Sequence, residues 1–161
     1  ALTKTEESTM SVGEICNREV VTIEKSAPVV RAAKLMRQFH VGCVVVVADG
    51  VQPLQPVGVV TDRDLAIEIL AQEVPAETVI VGDVMGAELL TAREEDGIWE
   101  TIMRMRAVGV RRLPIVSRHG ELVGILTMDD LLQFIVGELS DLVKLVRREQ
   151  KREEVARHAP V

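Results

Sequence analysis

The chain has 161 residues, which suffices for one compact domain or two small ones that share a core. Aromatic residues make up 2% and tyrosine is absent, so the core must be aliphatic. The longest apolar runs, such as "CVVVV" from Cys43, are too short to span a bilayer, and a net charge of −6 argues against a nucleic-acid partner. The N-terminus lacks a signal-peptide pattern, and the two cysteines, Cys16 and Cys43, have no metal or disulfide spacing, so we expect reduced thiols in a cytoplasmic protein.

Taken in chain order, the first half predicts a strand at "EVVTI", a helix over the periodic residues from Val29 to Phe39, and a buried strand at "CVVVVA". A turn containing "DGVQPLQP" leads to a second buried strand, "VGVVT", and to a helix from Asp62 to about Ala71. Ser26 and Pro28 suit the N-terminus of the first helix.

The second half repeats the first at an offset of 69 residues, with identities such as Gly13/Gly82 and Met36/Met105. The same element order is predicted here, with strands at "ELLTA", "RLPIVS" and "LVGILT". The last helix is predicted from Met128 to about Gly137. A turn three residues shorter changes the offset to 66, where "GVVTDRDL" aligns with "GILTMDDL". Each copy is therefore predicted as β-α-β-β-α, an α/β (α+β) fold whose two repeats pack face to face about a pseudo-twofold axis, because neither can bury its sheet alone.

A threonine and an aspartate recur three residues apart where the last strand of each copy ends. Thr61 and Thr127 can cap the first turn of the following helix, and Asp64 and Asp130 complement its dipole. The same groups also suit a nucleoside with a phosphate tail, since a carboxylate can accept two ribose hydroxyls. The residues alone leave both interpretations open.

The repeat, its element order and the two "G-h-h-T-x-x-D" endings (h apolar) resemble a tandem pair of cystathionine β-synthase (CBS) domains, a stand-alone Bateman module. The resemblance covers about residues 10–138, with repeats predicted at 10–72 and 78–138 and a C-terminal helix and tail at 139–161. It implies a non-enzymatic regulatory module for signal transduction that binds AMP, ADP, ATP, NAD or S-adenosylmethionine in two clefts between the repeats. It also implies a homodimer and a regulated protein that the sequence does not identify.

Carrying the family's pattern over to matching positions gives two sites. The first comprises Gly58, Thr61, Arg63, Asp64, Met85, Glu88, Leu90, Val110 and Arg111. The second comprises Cys16, Glu19, Val21, Val41, Gly42, Gly124, Thr127, Asp129 and Asp130.

The two sites differ in charge. Arg63 and Arg111, with Arg112 nearby, favour a phosphorylated adenosine nucleotide in the first site, unless they are solvated surface residues. Asp129 and Gly42 replace them in the second, which we expect to be weaker, metal-assisted, suited to an uncharged or cationic tail, or empty.

Three other functions are less well supported. The histidines His40, His119 and His158 have no catalytic spacing, and nucleotide-hydrolase and dinucleotide fingerprints are absent, so we expect neither an enzyme nor a catalytic cofactor nor a metal centre. A dimerisation scaffold with degenerate ligand sites is the alternative. The basic C-terminal stretch is interleaved with glutamates, which indicates an exposed helix instead of a nucleic-acid surface. Its apolar stripe and Trp99 are expected to pack on the module or on a partner chain; the stripe is Leu139, Leu142, Val143 and Val146.

Overall fold

The computed structural model describes residues 10–157, apart from the side chains of residues 155 and 156. Thr9, His158 and the end of the predicted tail lie outside this range. The chain divides into two compact units, Ala1–Thr127 and Met128–Val161.

The first unit holds the sheets of both repeats. The first repeat contains α1 (Val12–Ile15), β1 (Thr22–Glu24), α2 (Val29–Phe39), β2 (Cys43–Val47), β3 (Pro56–Thr61) and α3 (Asp62–Leu65), which continues as a π-helical turn over Ala66–Leu70. A short 3₁₀ turn at Ala76–Thr78 leads to α4 (Val81–Val84), β4 (Ala92–Arg93), α5 (Ile98–Val108), β5 (Arg112–Val116) and β6 (Leu122–Thr127). The predicted order is thereby confirmed, with one unforeseen short helix, α1 or α4, ahead of each first strand.

The second unit is a single helix, α6, from Met128 to Arg157. The predicted helix end near Gly137 is therefore wrong. A lone glycine in a helix interior costs only about 1 kcal/mol relative to alanine, and the flanking residues are mostly good helix formers.

Each repeat forms one three-stranded mixed sheet, in the orders β1-β2-β3 and β4-β5-β6. The first two strands of each sheet are parallel and the last two are antiparallel, with Val45 opposite Val59 and Pro114 opposite Ile125. Both sheets carry an irregularity at the same place in the central strand, between Val46 and Val47 and between Ile115 and Val116. The duplication seen in sequence is thus reproduced in the register.

The central strand β2 is buried along its whole length because it is covered on both faces. Val44 and Val46 belong to a cluster with Ala32 and Met36 of α2. Cys43, Val45 and Val47 alternate with them and pack instead with Ile125 of the second sheet. The two sheets therefore share an aliphatic core, as the near-absence of aromatic residues predicts.

The first helix of each repeat is bonded to the other repeat. Val12 and Gly13 donate their N–H groups to the carbonyls of Asp96 and Glu94, at 2.9 and 3.0 Å. Val81 and Gly82 make the equivalent bonds to Ala27 and Lys25, at 2.8 and 2.9 Å. Each bond maps onto its counterpart at the offset of 69, which is the signature of a pseudo-twofold relation.

Candidate functional site

The threonine and aspartate of the first motif bond to each other where β3 passes into α3. Thr61 Oγ1 accepts a hydrogen bond from the Asp64 N–H at 3.1 Å, and the Thr61 N–H donates to Asp64 Oδ2 at 2.8 Å. The Thr61 hydroxyl also donates to Oδ2, at 2.7 Å. The pair therefore forms a reciprocal cap of the helix, as the structural interpretation predicts.

This cap uses one oxygen of the Asp64 carboxylate. A carboxylate offers acceptor sites on both oxygens, and among the described residues no donor is bonded to Oδ1. Asp64 is half-buried. The same side chain can therefore fix the turn through Oδ2 and accept a ligand hydroxyl through Oδ1.

The motif glycines are places where the two repeats touch. A Cβ built on the buried Gly58 would lie 2.5 Å from Sδ of Met85. A Cβ on Gly124 would lie 2.7 Å from Sγ of Cys16 and 3.0 Å from the Asn17 carbonyl. Gly58 with Met85, and Gly124 with Cys16, are pairs that the sequence assigned to the same cleft.

An arginine of the second repeat reaches the first motif. Nη1 of Arg112 lies 3.6 Å from a Cβ built on Gly42, and Oδ2 of Asp62 lies 3.4 Å from the same point. The Asp62 N–H donates to the Gly42 carbonyl at 3.1 Å. Gly42 is thus bonded to the first residue of α3 in its own repeat, and its assignment to the Thr127 cleft stays a prediction. Asp62 was not singled out from the sequence, although it lies within the "TDRD" of the motif.

A cavity of about 490 Å³ lies beside the first strand of repeat one. Glu19, Val21 and Val41 line it, and all three belong to the predicted second site. Asn17 and Phe39 complete much of its wall. Its volume is within the roughly 300–1,000 Å³ that ligand pockets span.

The remaining predicted site residues differ in how exposed they are. Arg63, Glu88 and Arg111 are exposed, and Leu90 and Val110 are half-buried. Within residues 10–157, no hydrogen bond or ion pair joins the side chains of these residues to Thr61 or Asp64. Thr127 ends β6 opposite Arg112, whereas Asp129 and Asp130 belong to the first turn of α6 in the other unit.

The described part of the chain lacks the features of a metal centre and of a membrane span. It holds no cluster of three or more histidine, cysteine, aspartate or glutamate side chains that could bind a metal ion. It also holds no helix with the length and apolar character that crossing a membrane requires.

Two mixed sheets with the same strand order and register, related by a pseudo-twofold, define a tandem-repeat α/β module. The chain belongs to the CBS domain family, whose sequence profile matches residues 12–71 and 81–137. It is 35% identical over 143 residues to an uncharacterized protein of Methanopyrus kandleri. The aligned region covers 87% of this chain and 71% of that protein. It is also 35% identical to the CBS domain-containing protein YhcV of Bacillus subtilis, over 75% of this chain and 82% of the relative.

A solved structure shares both the fold and the pairing of repeats. A CBS domain protein of Pyrobaculum aerophilum, complexed with AMP, is 26% identical and superposes with a TM-score of 0.71. The match covers 81% of this chain and 98% of that one. The resemblance to a tandem CBS pair is therefore confirmed at the level of family and fold.

Proposed function

We propose that the chain is a non-catalytic sensor that binds an adenosine nucleotide between its repeats and so regulates a partner protein. The observation that carries the proposal is the Thr61–Asp64 turn, whose cap uses Oδ2 and leaves Oδ1 of Asp64 without a protein donor among the described residues. The AMP complex of the Pyrobaculum aerophilum relative supports the adenosine part of the ligand.

In this proposal the first cleft takes the phosphorylated ligand. Arg112 reaches the turn from the second repeat, and the exposed guanidiniums of Arg63 and Arg111 are available to phosphate oxygens. Glu88, Leu90 and Val110 would complete the wall on the Met85 side. Asp64 would bind the ribose, because Oδ1 can accept hydrogen bonds from ribose hydroxyls while Oδ2 holds the turn.

The second cleft is proposed to differ in its ligand. The cavity at Glu19, Val21 and Val41 contains a carboxylate and no basic side chain among the residues that line it. An adenosine compound with an uncharged or cationic tail suits that lining better than a nucleotide. Cys16, Gly124, Thr127, Asp129 and Asp130 remain its predicted further residues.

A dimerisation scaffold is the alternative function, and a specific observation favours it. An apolar groove of about 350 Å³ lies between α2 and the π-helical turn, lined by residues such as Met36, Leu65 and Ile69. Leu70 beside it is 76% exposed. We propose that this helical surface joins two copies of the chain in a homodimer, with or without a ligand in the clefts.

The cellular setting is also part of the proposal. Cys16 and Cys43 form no disulfide with each other, which is the state that a reducing compartment such as the cytoplasm would maintain. In this proposal the ligand acts without bond-breaking chemistry, by changing the relation between the repeats. A ligand can shift such an equilibrium only by its differential affinity for the two forms.

The deciding experiment is calorimetric titration with AMP, ATP, NAD and S-adenosylmethionine, using the parent chain and Asp64→Ala. We expect a phosphorylated ligand to bind to the parent chain. Asp64→Ala should lower its affinity by about 10- to 100-fold, since hydrogen bonds to charged groups contribute about 1.5–3 kcal/mol.

Asp83→Ala is the matched control. Asp83 occupies the same position in the first turn of α4, where its carboxylate accepts from the Ile80 N–H. The Asp83→Ala variant should bind the nucleotide as tightly as the parent chain does. If all four ligands give neither heat nor a thermal shift, the sensor proposal fails and the scaffold is favoured.

A further inference from the structure

The two repeats are bonded more strongly along one side of their junction than along the other. Asn17 and Ile125 exchange two backbone hydrogen bonds, each 2.9 Å long. The corresponding residues on the other side are Gly86 and Val59, and within residues 10–157 no backbone hydrogen bond joins them. The pseudo-twofold relation is therefore broken at this pair.

A single arginine reinforces the bonded side. Arg18 Nη2 donates to the Gly13 carbonyl at 2.8 Å, and Nη1 donates to the Val123 carbonyl and to Glu94 Oε2, both at 3.3 Å. Its guanidinium thus holds the segment after α1 against β6 and against the loop after β4. The corresponding position in the second repeat is Ala87, which can make none of these bonds.

The longer turn of repeat one adds a bond to the same strand. The Leu122 N–H at the start of β6 donates to the Leu54 carbonyl at 2.8 Å. Leu54 also packs in the cluster that joins the two sheets. The residue of β3 that corresponds to Leu122 is Pro56, which has no N–H to donate, so the other side of the junction lacks this bond.

The residues on either side of Arg18 are walls of the 490 Å³ cavity. Asn17 and Glu19 both line it, and Asn17 is the residue that bonds to β6. Fixing Arg18 therefore fixes two walls before any ligand arrives. On the other side of the junction the Met85–Leu90 segment has no comparable clamp within the described residues.

From this asymmetry we infer that Arg18 is a positioning residue that preforms the cleft at Asn17 and Glu19, whereas the segment that follows Met85, which has no such clamp, is fixed in place only when a ligand binds. The ligand part of this inference rests on the proposed function. The clamp itself does not, because it concerns the protein alone.

The clamp is tested by amide hydrogen exchange, followed residue by residue with NMR in the absence of added nucleotide. The Val45 N–H donates to the Val21 carbonyl, so the Val59 N–H opposite it points away from β2, as the Ile125 N–H points away from β5. We expect Ile125 and Asn17 to exchange at least about tenfold more slowly than Val59 and Gly86, because local openings govern such rates.

Arg18→Ala should accelerate exchange at Asn17 and Ile125 by about fivefold, while Arg18→Lys, which keeps a donor, should restore part of the protection. Arg31→Ala removes an exposed arginine from α2 and is the matched control. Equal exchange at Ile125 and Val59 in the parent chain, or unchanged exchange in Arg18→Ala, would overturn the inference.

Binding measurements then test the consequence for ligands, using AMP and S-adenosylmethionine as probes. AMP should slow exchange at Met85 and Gly86 by more than it slows exchange at Asn17. Arg18→Ala should weaken the binding of S-adenosylmethionine by about fivefold and leave the binding of AMP unchanged. The reverse pattern would contradict the assignment of ligands to the two clefts. If neither probe binds, the proposed function fails, and the exchange rates still decide whether Arg18 is a clamp.

Discussion

Asp64 has two roles that draw on different atoms of one side chain. Oδ2 holds the Thr61 turn through bonds to the backbone N–H and to the hydroxyl. Oδ1 has no protein donor among the described residues. The capping and ligand-binding interpretations of the motif therefore do not compete, and finding the cap leaves the ligand role as a prediction.

Gly58 should not tolerate a larger residue. In Gly58→Ala the new Cβ would lie 2.5 Å from Sδ and 3.3 Å from Cβ of Met85, so the side chain or the strand must shift. We expect the free energy of unfolding in urea to fall by about 1–3 kcal/mol, the usual cost of overpacking.

Pairing the variant with Met85→Ala separates this clash from other effects. If the clash is the cause, the two changes should show a coupling of about 1 kcal/mol in a double-mutant cycle. Gly97→Ala, where no atom lies within 4 Å of the new Cβ, should change stability by less than about 0.5 kcal/mol. Additive effects of Gly58→Ala and Met85→Ala would contradict the packing account.

The sequence predicted some site residues better than others, for a physical reason. The glycine, threonine and aspartate of each motif are local and repeated, so one chain reveals them twice. The approach of Arg112 to Gly42 and Asp62 joins residues from two repeats, and depends on how the sheets stack. No spacing within either copy encodes the approach of Arg112, so the sequence alone does not predict it.

At the level of elements, strand order was predictable and strand length was not. Alternation and turn residues identify each strand, but its ends depend on where the backbone pairing with its neighbour begins and stops, which the residue pattern does not show. Thr22–Glu24 is the part of "EVVTIE" that pairs with β2, and the strand begins later than its β-branched residues suggest. Val20 and Val21 precede it and pack in clusters of the core, and the Val21 carbonyl also accepts the Val45 N–H of β2.

Helix α6 offers a direct test of why its end was misjudged. Gly137 lies within the helix and a Cβ there would meet no atom within 4 Å. Gly137→Ala should therefore stabilise the helix by about 0.5–1 kcal/mol. In circular dichroism at 222 nm, the variant should keep its helical signal to a higher temperature than the parent chain.

Gly109→Ala is the informative comparison, because its surroundings are equally open but its φ is +78° at the end of α5. Alanine in that left-handed conformation should destabilise the protein by about 1–2 kcal/mol. The same sign for both variants would show that backbone conformation does not decide the effect.

At the level of the whole molecule, the longer turn of repeat one contributes to the core between the sheets. Leu54 packs there and its carbonyl accepts from Leu122. Leu54→Ala keeps the backbone bond and removes part of the packing. Since the side chain is half-buried, we expect a loss of about 1–2 kcal/mol in urea unfolding, below the range for a fully buried leucine.

Leu145→Ala is the matched control for this variant. Leu145 is 63% exposed on α6, so its loss should change stability by less than about 0.5 kcal/mol. A Leu54→Ala variant as stable as Leu145→Ala would show that the turn does not support the junction.

The exchanged bonds of α1 and α4 also bear on how such a fold could arise. Val12 and Gly13 complete the second repeat, while Val81 and Gly82 complete the first. A chain with one repeat could make these bonds only with another molecule, and its assembly would then depend on concentration. Joining two copies through a short linker makes the same association intramolecular, at an effective concentration in the millimolar range. Fusion also frees each half to diverge, so that a clamp such as Arg18 can exist on one side alone.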